Sequence, residues 1–147
     1  MKIAVGSDPN ATDLKMSIIG FLQSEGYEVT DFGSDDVIYA NVAIEVAEEV
    51  AANHFDRGIL FCGTGLGVML AANKVKGAYA AVLSDAYSAQ RACLSNNCNI
   101  VTIGSQVTGV KKAEVMLKEY LSCTYDPNCR SKEKVERIVQ YENEHMK

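Results

Sequence analysis

The stretch Arg57–Val75, RGILFCGTGLGVMLAANKV, decides the fold. GILF is a short apolar run, CGTGLG a glycine-rich turn, and the residues after it have helix-forming composition. A strand that passes through a glycine-rich loop into a helix is the building unit of a parallel sheet, and such a loop turns backbone N–H groups toward an anion. Here the loop also carries the thiol of Cys62, so a binding feature and a candidate nucleophile or base share one turn.

The same alternation extends in both directions. Short runs rich in β-branched residues predict strands at Ile3–Gly6, Glu28–Phe32, Gly58–Phe61, Ala78–Leu83 and Asn99–Ile103. Segments of helical period lie between and after them, at about Thr12–Glu25, Asn41–Asn53, Leu66–Lys74, Asp85–Ser95 and Thr108–Leu121. Leu14, Ile18, Phe21 and Leu22 mark one face of the first helix; Val42, Val46 and Val50 mark the second. Strands that are apolar nearly throughout, separated by amphipathic helices, imply a parallel sheet covered on both faces. The expected architecture is a three-layer, doubly wound, Rossmann-like α/β fold with five parallel strands, all 147 residues forming one domain. After Cys123, TYDPNCR breaks the pattern, and an extra C-terminal helix begins at about Ser131 with Val135, Ile138 and Val139 as its stripe. Because this helix stands outside the alternation, it is expected to pack on a partner subunit.

Composition narrows the function. A net charge of −5 and a pI near 5.0 disfavour nucleic acid and anionic membranes as partners, and an anionic small substrate needs a local basic patch. No stretch is long enough to span a bilayer, and MKIAVGSD opens with a strand pattern in place of a signal peptide, so a cytoplasmic location is expected. The five cysteines, Cys62, Cys93, Cys98, Cys123 and Cys129, are odd in number and contain no C-x-x-C. They suggest neither a disulfide framework nor a metal site, and most read as small buried hydrophobes. No cofactor motif is present: GTGLG is not G-x-G-x-x-G, follows the third strand, and lacks the Gly-Lys-Ser/Thr of a phosphate-binding loop.

In an open α/β sheet, ligands sit at the carboxyl ends of the strands where the strand order reverses. The first strand ends in Gly6-Ser7-Asp8 and the third in Cys62-Gly63-Thr64-Gly65-Leu66-Gly67, which puts a carboxylate beside a thiol and a glycine nest. A glycine loop is often no more than a tight strand-to-helix turn, and most unpaired cysteines only fill space. Against that, Cys62 is expected just before a helix N-terminus, where the dipole favours a thiolate. Hydrolase-type cysteine catalysis needs a histidine partner, and only His54 and His145 exist, both placed as surface residues. A cysteine base without histidine suits proton transfer on carbon beside a carbonyl, with loop N–H groups and Thr64 holding the enediolate oxygens. Arg130, with Lys134 one helical turn later, is a pair of cations at a helix start. The dipole disfavours cations there, so the pair hints at a bound anion.

These residues resemble a known family. KIAVGSD, GILFCGTGLGVMLAANKVKG, SDAYSAQ, NN-C-N and the Arg130–Lys134 pair are similar to the type B ribose-5-phosphate isomerases and the related galactose-6-phosphate isomerase subunits, over nearly the whole chain. The resemblance implies a homodimer or higher assembly with active sites between chains. It implies Cys62 as the base acting on the first two sugar carbons, with Thr64 and Gly63, Gly65 and Gly67 around the enediolate. Asp8 would contact substrate hydroxyls or the ring oxygen, Tyr39 would line the pocket, Asn96 would bind the sugar, and Arg130 and Lys134 would hold the phosphate. Members without the cysteine use a glutamate in the same loop; that position is Val68 here.

The chain departs from the family at Pro9 and Ser95, where histidines are usual, the second of them credited with opening the furanose ring; Lys134 replaces a common arginine. The activity the resemblance implies first is interconversion of ribose 5-phosphate and ribulose 5-phosphate through a cis-enediolate. For the missing histidines three accounts are open: a tetrose or tetrulose phosphate that needs no ring opening, a hetero-oligomer of the galactose-6-phosphate isomerase kind whose partner supplies the histidine, or slow isomerisation of ribose 5-phosphate. A non-catalytic sugar-phosphate-binding partner subunit and a thiol-redox protein are readings from other classes.

Overall fold

The computed structural model describes residues 1–147. Its sheet has five parallel strands: β1 Lys2–Ser7, β2 Glu28–Asp31, β3 Arg57–Cys62, β4 Ala80–Val82 and β5 Ile100–Gly104. They are arranged in the order β2-β1-β3-β5-β4. The helices are α1 Thr12–Ser24, α2 Tyr39–Ala51, α3 Leu66–Ala72, α4 Ala86–Leu94, α5 Val110–Leu121 and α6 Lys132–His145, with a 3-10 turn at Pro9–Ala11. The expected doubly wound Rossmann-like sheet with an extra C-terminal helix is the observed one.

Both sheet faces are covered because the central strands are apolar on both sides. Ile3, Val5, Ile59, Phe61, Val101 and Ile103 pack with α1, α4 and α5. Ala4, Leu60, Cys62 and Ile100 pack with Val42, Val46 and Val50 of α2 and Val68 and Ala72 of α3. From β1 the chain moves outward to β2, and from β3 it moves the other way, past the place later taken by β5, to β4. The strand order therefore reverses between β1 and β3, which puts the loops after those two strands side by side.

Several expected boundaries shift for local reasons. β4 is shorter than Ala78–Leu83 because it is an edge strand whose start is taken over by a side chain: Tyr79 N–H donates to Asn99 Oδ1 at 2.8 Å. α2 starts at Tyr39, two residues before the expected Asn41, and α5 starts at Val110 because Thr108 N–H turns back to Gly104 O at 2.9 Å. α4 is capped by Asp85, which accepts from Ser88 N–H at 2.7 Å and whose carboxyl is held below the usual carboxylate range by that bond and the Ser88 hydroxyl.

The stripe of α6 stays open within the subunit. Its one buried residue is Glu142; Ile138 is 54% exposed, and Val135, Ile138 and Val139 line a cavity of about 470 Å³ against α4 and β4 that the subunit does not fill. No helix is long and apolar enough to cross a membrane.

Candidate active site

The first loop is held to the second by the sheet. β1 runs one residue past its expected end, and Asp8 N–H then donates to Phe61 O at 3.2 Å, so Asp8 is tied to the residue before Cys62. Asp8 is buried, and its Oδ1 accepts from Ala11 N–H at 3.1 Å, capping the 3-10 turn that has Pro9 in its first position. Proline fits there because that position's N–H has no intrahelical partner to lose. The other carboxylate oxygen makes no hydrogen bond within the chain and remains available to a ligand.

The second loop is braced by β5. Cys62 O accepts from Ser105 N–H at 2.8 Å, Gly63 O from Gln106 N–H at 3.0 Å, and Gly65 O from Thr102 Oγ1 at 2.6 Å. With these carbonyls drawn to one side, the N–H groups of Gly63 and Thr64 donate to nothing in the chain. Gly65 adopts φ +80°, which a side chain disfavours, and its N–H donates to Cys62 Sγ at 3.1 Å. Such a bond strengthens when the sulfur carries charge. Cys62 itself is 5% exposed and belongs to the layer under α2 and α3. Thr64 Oγ1 accepts from Leu66 N–H at 3.3 Å, which spends the hydroxyl's acceptor on the start of α3 and leaves its proton to donate. The ring of Tyr39 lies over Gly67, where an added methyl group would overlap it.

Asp8, Tyr39, Cys62, Gly63, Thr64, Gly65 and Gly67 thus gather at the carboxyl end of the sheet. Asn96, Arg130 and Lys134 do not join them within one chain. α4 runs back toward the opposite end of the strands, and Asn96, just beyond it, lines the 470 Å³ cavity together with Val135 from the first turn of α6. Arg130 and Lys134 are exposed and their side chains make no hydrogen bond or ion pair. None of the subunit's cavities includes Cys62 or Asp8, so the largest hollows and the thiol lie apart.

Ser95 accepts from Arg91 Nε at 2.7 Å and ends α4. His54 pairs with Glu49 at 2.9 Å and His145 stacks on Tyr141, both away from the thiol. All five cysteines are free. Burial, with the neighbouring Cys93, pushes the Cys98 thiol up to about 11, as suits a packing residue. No three His, Cys, Asp or Glu side chains converge as metal ligands.

The sequence reading missed the brace. Gly104 sits so close that an added Cβ would lie 2.5 Å from the Thr64 carbonyl carbon, and the Gln106 amide rests 3.5–3.6 Å from a Cβ placed on Gly63. The one signal was the glycine closing the fifth strand in VTIGSQ.

A reversing parallel sheet with a thiol, a carboxylate and unengaged N–H groups at its break is the place where an open α/β fold binds a small molecule. The Ribose/Galactose Isomerase family matches residues 3–138. The chain is 40% identical to D-erythrulose-4-phosphate isomerase 2 of Mycolicibacterium smegmatis over 97% of each chain, and 42% identical to the ribose-5-P isomerase B of Listeria innocua over 95% of this chain and 96% of that one. Its fold is similar to that of the ribose-5-phosphate isomerase B of Clostridium thermocellum, with a TM-score of 0.92, 37% identity and 99% of each chain covered. The chain belongs to the ribose/galactose isomerase family and is an isomerase.

Proposed function

We propose that this isomerase interconverts an aldose and a ketose phosphate with Cys62 as the base. One observation carries the reading: the Cys62 sulfur, held by Gly65 N–H, adjoins two N–H groups, of Gly63 and Thr64, that have no partner in the chain. The thiolate takes the proton from the carbon beside the carbonyl, the enediolate oxygen accepts from those N–H groups, and Cys62 returns the proton to the neighbouring carbon. A proton moves between the two oxygens at the same time, so the reaction is balanced without a cofactor. The free oxygen of Asp8 accepts from a substrate hydroxyl, and Tyr39 forms the wall.

The substrate favoured is a four-carbon sugar phosphate. Pro9 begins a 3-10 turn and Ser95 is engaged by Arg91, so neither position provides an imidazole to open a furanose ring. A tetrose 4-phosphate carries its ester on the oxygen that would close such a ring, and a tetrulose 4-phosphate has no oxygen that could close one, so both stay open. The 40% identity to a D-erythrulose-4-phosphate isomerase supports this. Ribose 5-phosphate, suggested by the 42% identity to a ribose-5-P isomerase B, is a second, slower substrate reacting from its open-chain fraction. Asn96, Arg130 and Lys134 stand outside the cluster of Cys62, and the site is completed when a second copy brings them to the substrate's hydroxyls and phosphate.

The test follows isomerisation of four-, five- and six-carbon sugar phosphates by NMR in deuterated water. The expected result is turnover of tetrulose 4-phosphate well above ribose 5-phosphate, with carbon-bound deuterium incorporated. Cys62→Ala should lose exchange by at least about 10²-fold while still folding. Undiminished exchange in that variant would exclude Cys62 as the base. Faster turnover of ribose 5-phosphate would reverse the substrate assignment. Binding without turnover on every sugar, relieved by a different partner chain, would make this a subunit of a hetero-oligomer.

A further inference from the structure

We propose that Glu142 is a positioning residue for phosphate binding: by clamping the far end of α6 to the segment before β4, it fixes where the cations at the start of that helix stand. The inference rests on the reading that Arg130 and Lys134 hold the substrate's phosphate.

Glu142 is the only buried residue of α6, 8% exposed, on a helix otherwise polar or open to solvent. Its Oε1 accepts from Gly77 N–H at 2.9 Å and its Oε2 accepts a short hydrogen bond from Tyr79 O–H. Burial and the Glu142 carboxylate both push the Tyr79 phenol upward, so it keeps its proton as the donor. The receiving segment is itself fixed: Tyr79 N–H donates to Asn99 Oδ1 at 2.8 Å, and Asn99 Nδ2 donates to Gly77 O at 2.9 Å. Asn99 lies three residues after Asn96, so one network joins the helix to the segment that carries the proposed sugar-binding side chain.

Nothing comparable holds the other half of the helix. Val135, Ile138 and Val139 face the unfilled 470 Å³ cavity, and Arg130 and Lys134 have no polar partner. Lys134 stands eight residues, about 12 Å, from the clamp, so a tilt of about 10° there moves it by roughly 2 Å. A shift of that size at a phosphate contact is enough to weaken binding by up to about 100-fold.

The experiment compares the full-length protein with Glu142→Ala, Glu142→Gln, Tyr79→Phe, Arg130→Ala and the Glu142→Ala/Arg130→Ala double variant. Inorganic phosphate affinity is measured by calorimetry, and KM and kcat are measured on tetrulose 4-phosphate. Expected are a 10- to 100-fold rise in KM and in phosphate Kd for Glu142→Ala, kcat within about twofold, and smaller rises for Glu142→Gln and Tyr79→Phe. Glu142→Ala should weaken phosphate binding by a smaller factor in the Arg130→Ala background than in the wild type, because only Lys134 is then left for the clamp to position. If Arg130→Ala weakens phosphate binding and neither Glu142→Gln nor Tyr79→Phe does, the clamp is overturned and the phosphate assignment stands. If Arg130→Ala leaves phosphate binding unchanged, the assignment falls and the clamp with it. A fall in kcat at constant KM, or additive losses in the double variant, would also overturn it.

Discussion

Single atoms decide whether the Cys62 loop keeps its shape. Gly104 admits the Thr64 backbone only because it lacks a Cβ, and the contact is with main chain, which cannot rotate away. Gly104→Ala should therefore destabilise the fold by about 1–3 kcal/mol and depress kcat, read from urea midpoints and steady-state rates. Cys98 gives a residue-scale prediction of another kind. Its thiol titrates near 11 in the folded chain against an ordinary value of 9.0, so the native state holds the proton to higher pH than the unfolded chain. That contribution is intact below pH 9 and declines as pH rises from about 9 to 11, by an amount on the order of 2 kcal/mol. Urea titrations between pH 8 and 10.5 should show the loss, and Cys98→Ala should make it shallower; a stability that rises over that range would contradict it.

At the scale of elements, α1 is fixed to the edge strand β2 by a charge the helical pattern did not reveal. Lys15, 2% exposed, reaches Asp31 Oδ1 at 2.9 Å and Ser34 Oγ at 3.1 Å. Asp31 is 36% exposed, so water weakens the pair without dissolving it. Asp31→Asn should cost about 1–3 kcal/mol, because it leaves the covered ammonium without its counter-ion. Denaturant unfolding measures this, and unchanged stability would mean Lys15 swings to solvent. α6 presents the opposite case: its valine and isoleucine stripe reads as a face to be buried, yet within the subunit it lines an open cavity.

For the whole molecule, the separation of the two residue sets has a direct consequence. If one copy supplies Cys62 and Asp8 and another supplies Asn96, Arg130 and Lys134, mixing inactive Cys62→Ala with inactive Arg130→Ala should restore activity. Random pairing in a two-fold dimer gives about half mixed dimers with one intact site of two, hence about a quarter of wild-type activity. Kinetics of the mixture after subunit exchange check this, and no recovery would place each site within one chain.

The order of strands and helices, the parallel sheet and the pairing of Asp8 with the Cys62 loop were all legible in the sequence. They rest on local periodicity and on the rule that places ligands at a reversing sheet's carboxyl ends. The bracing of Cys62, Gly63 and Gly65 by Ser105, Gln106 and Thr102, the Lys15–Asp31 pair and the Glu142–Tyr79 bond were not. Each joins residues distant along the chain through side-chain or backbone geometry that no short window encodes. By itself the sequence determined which reactive groups the molecule carries, because residue type and local spacing set the thiol, the glycine turn and the cations. Only the tertiary structure decided which of those groups meet, because strand order and helix direction put Cys62 at one end of the sheet and Asn96 at the other.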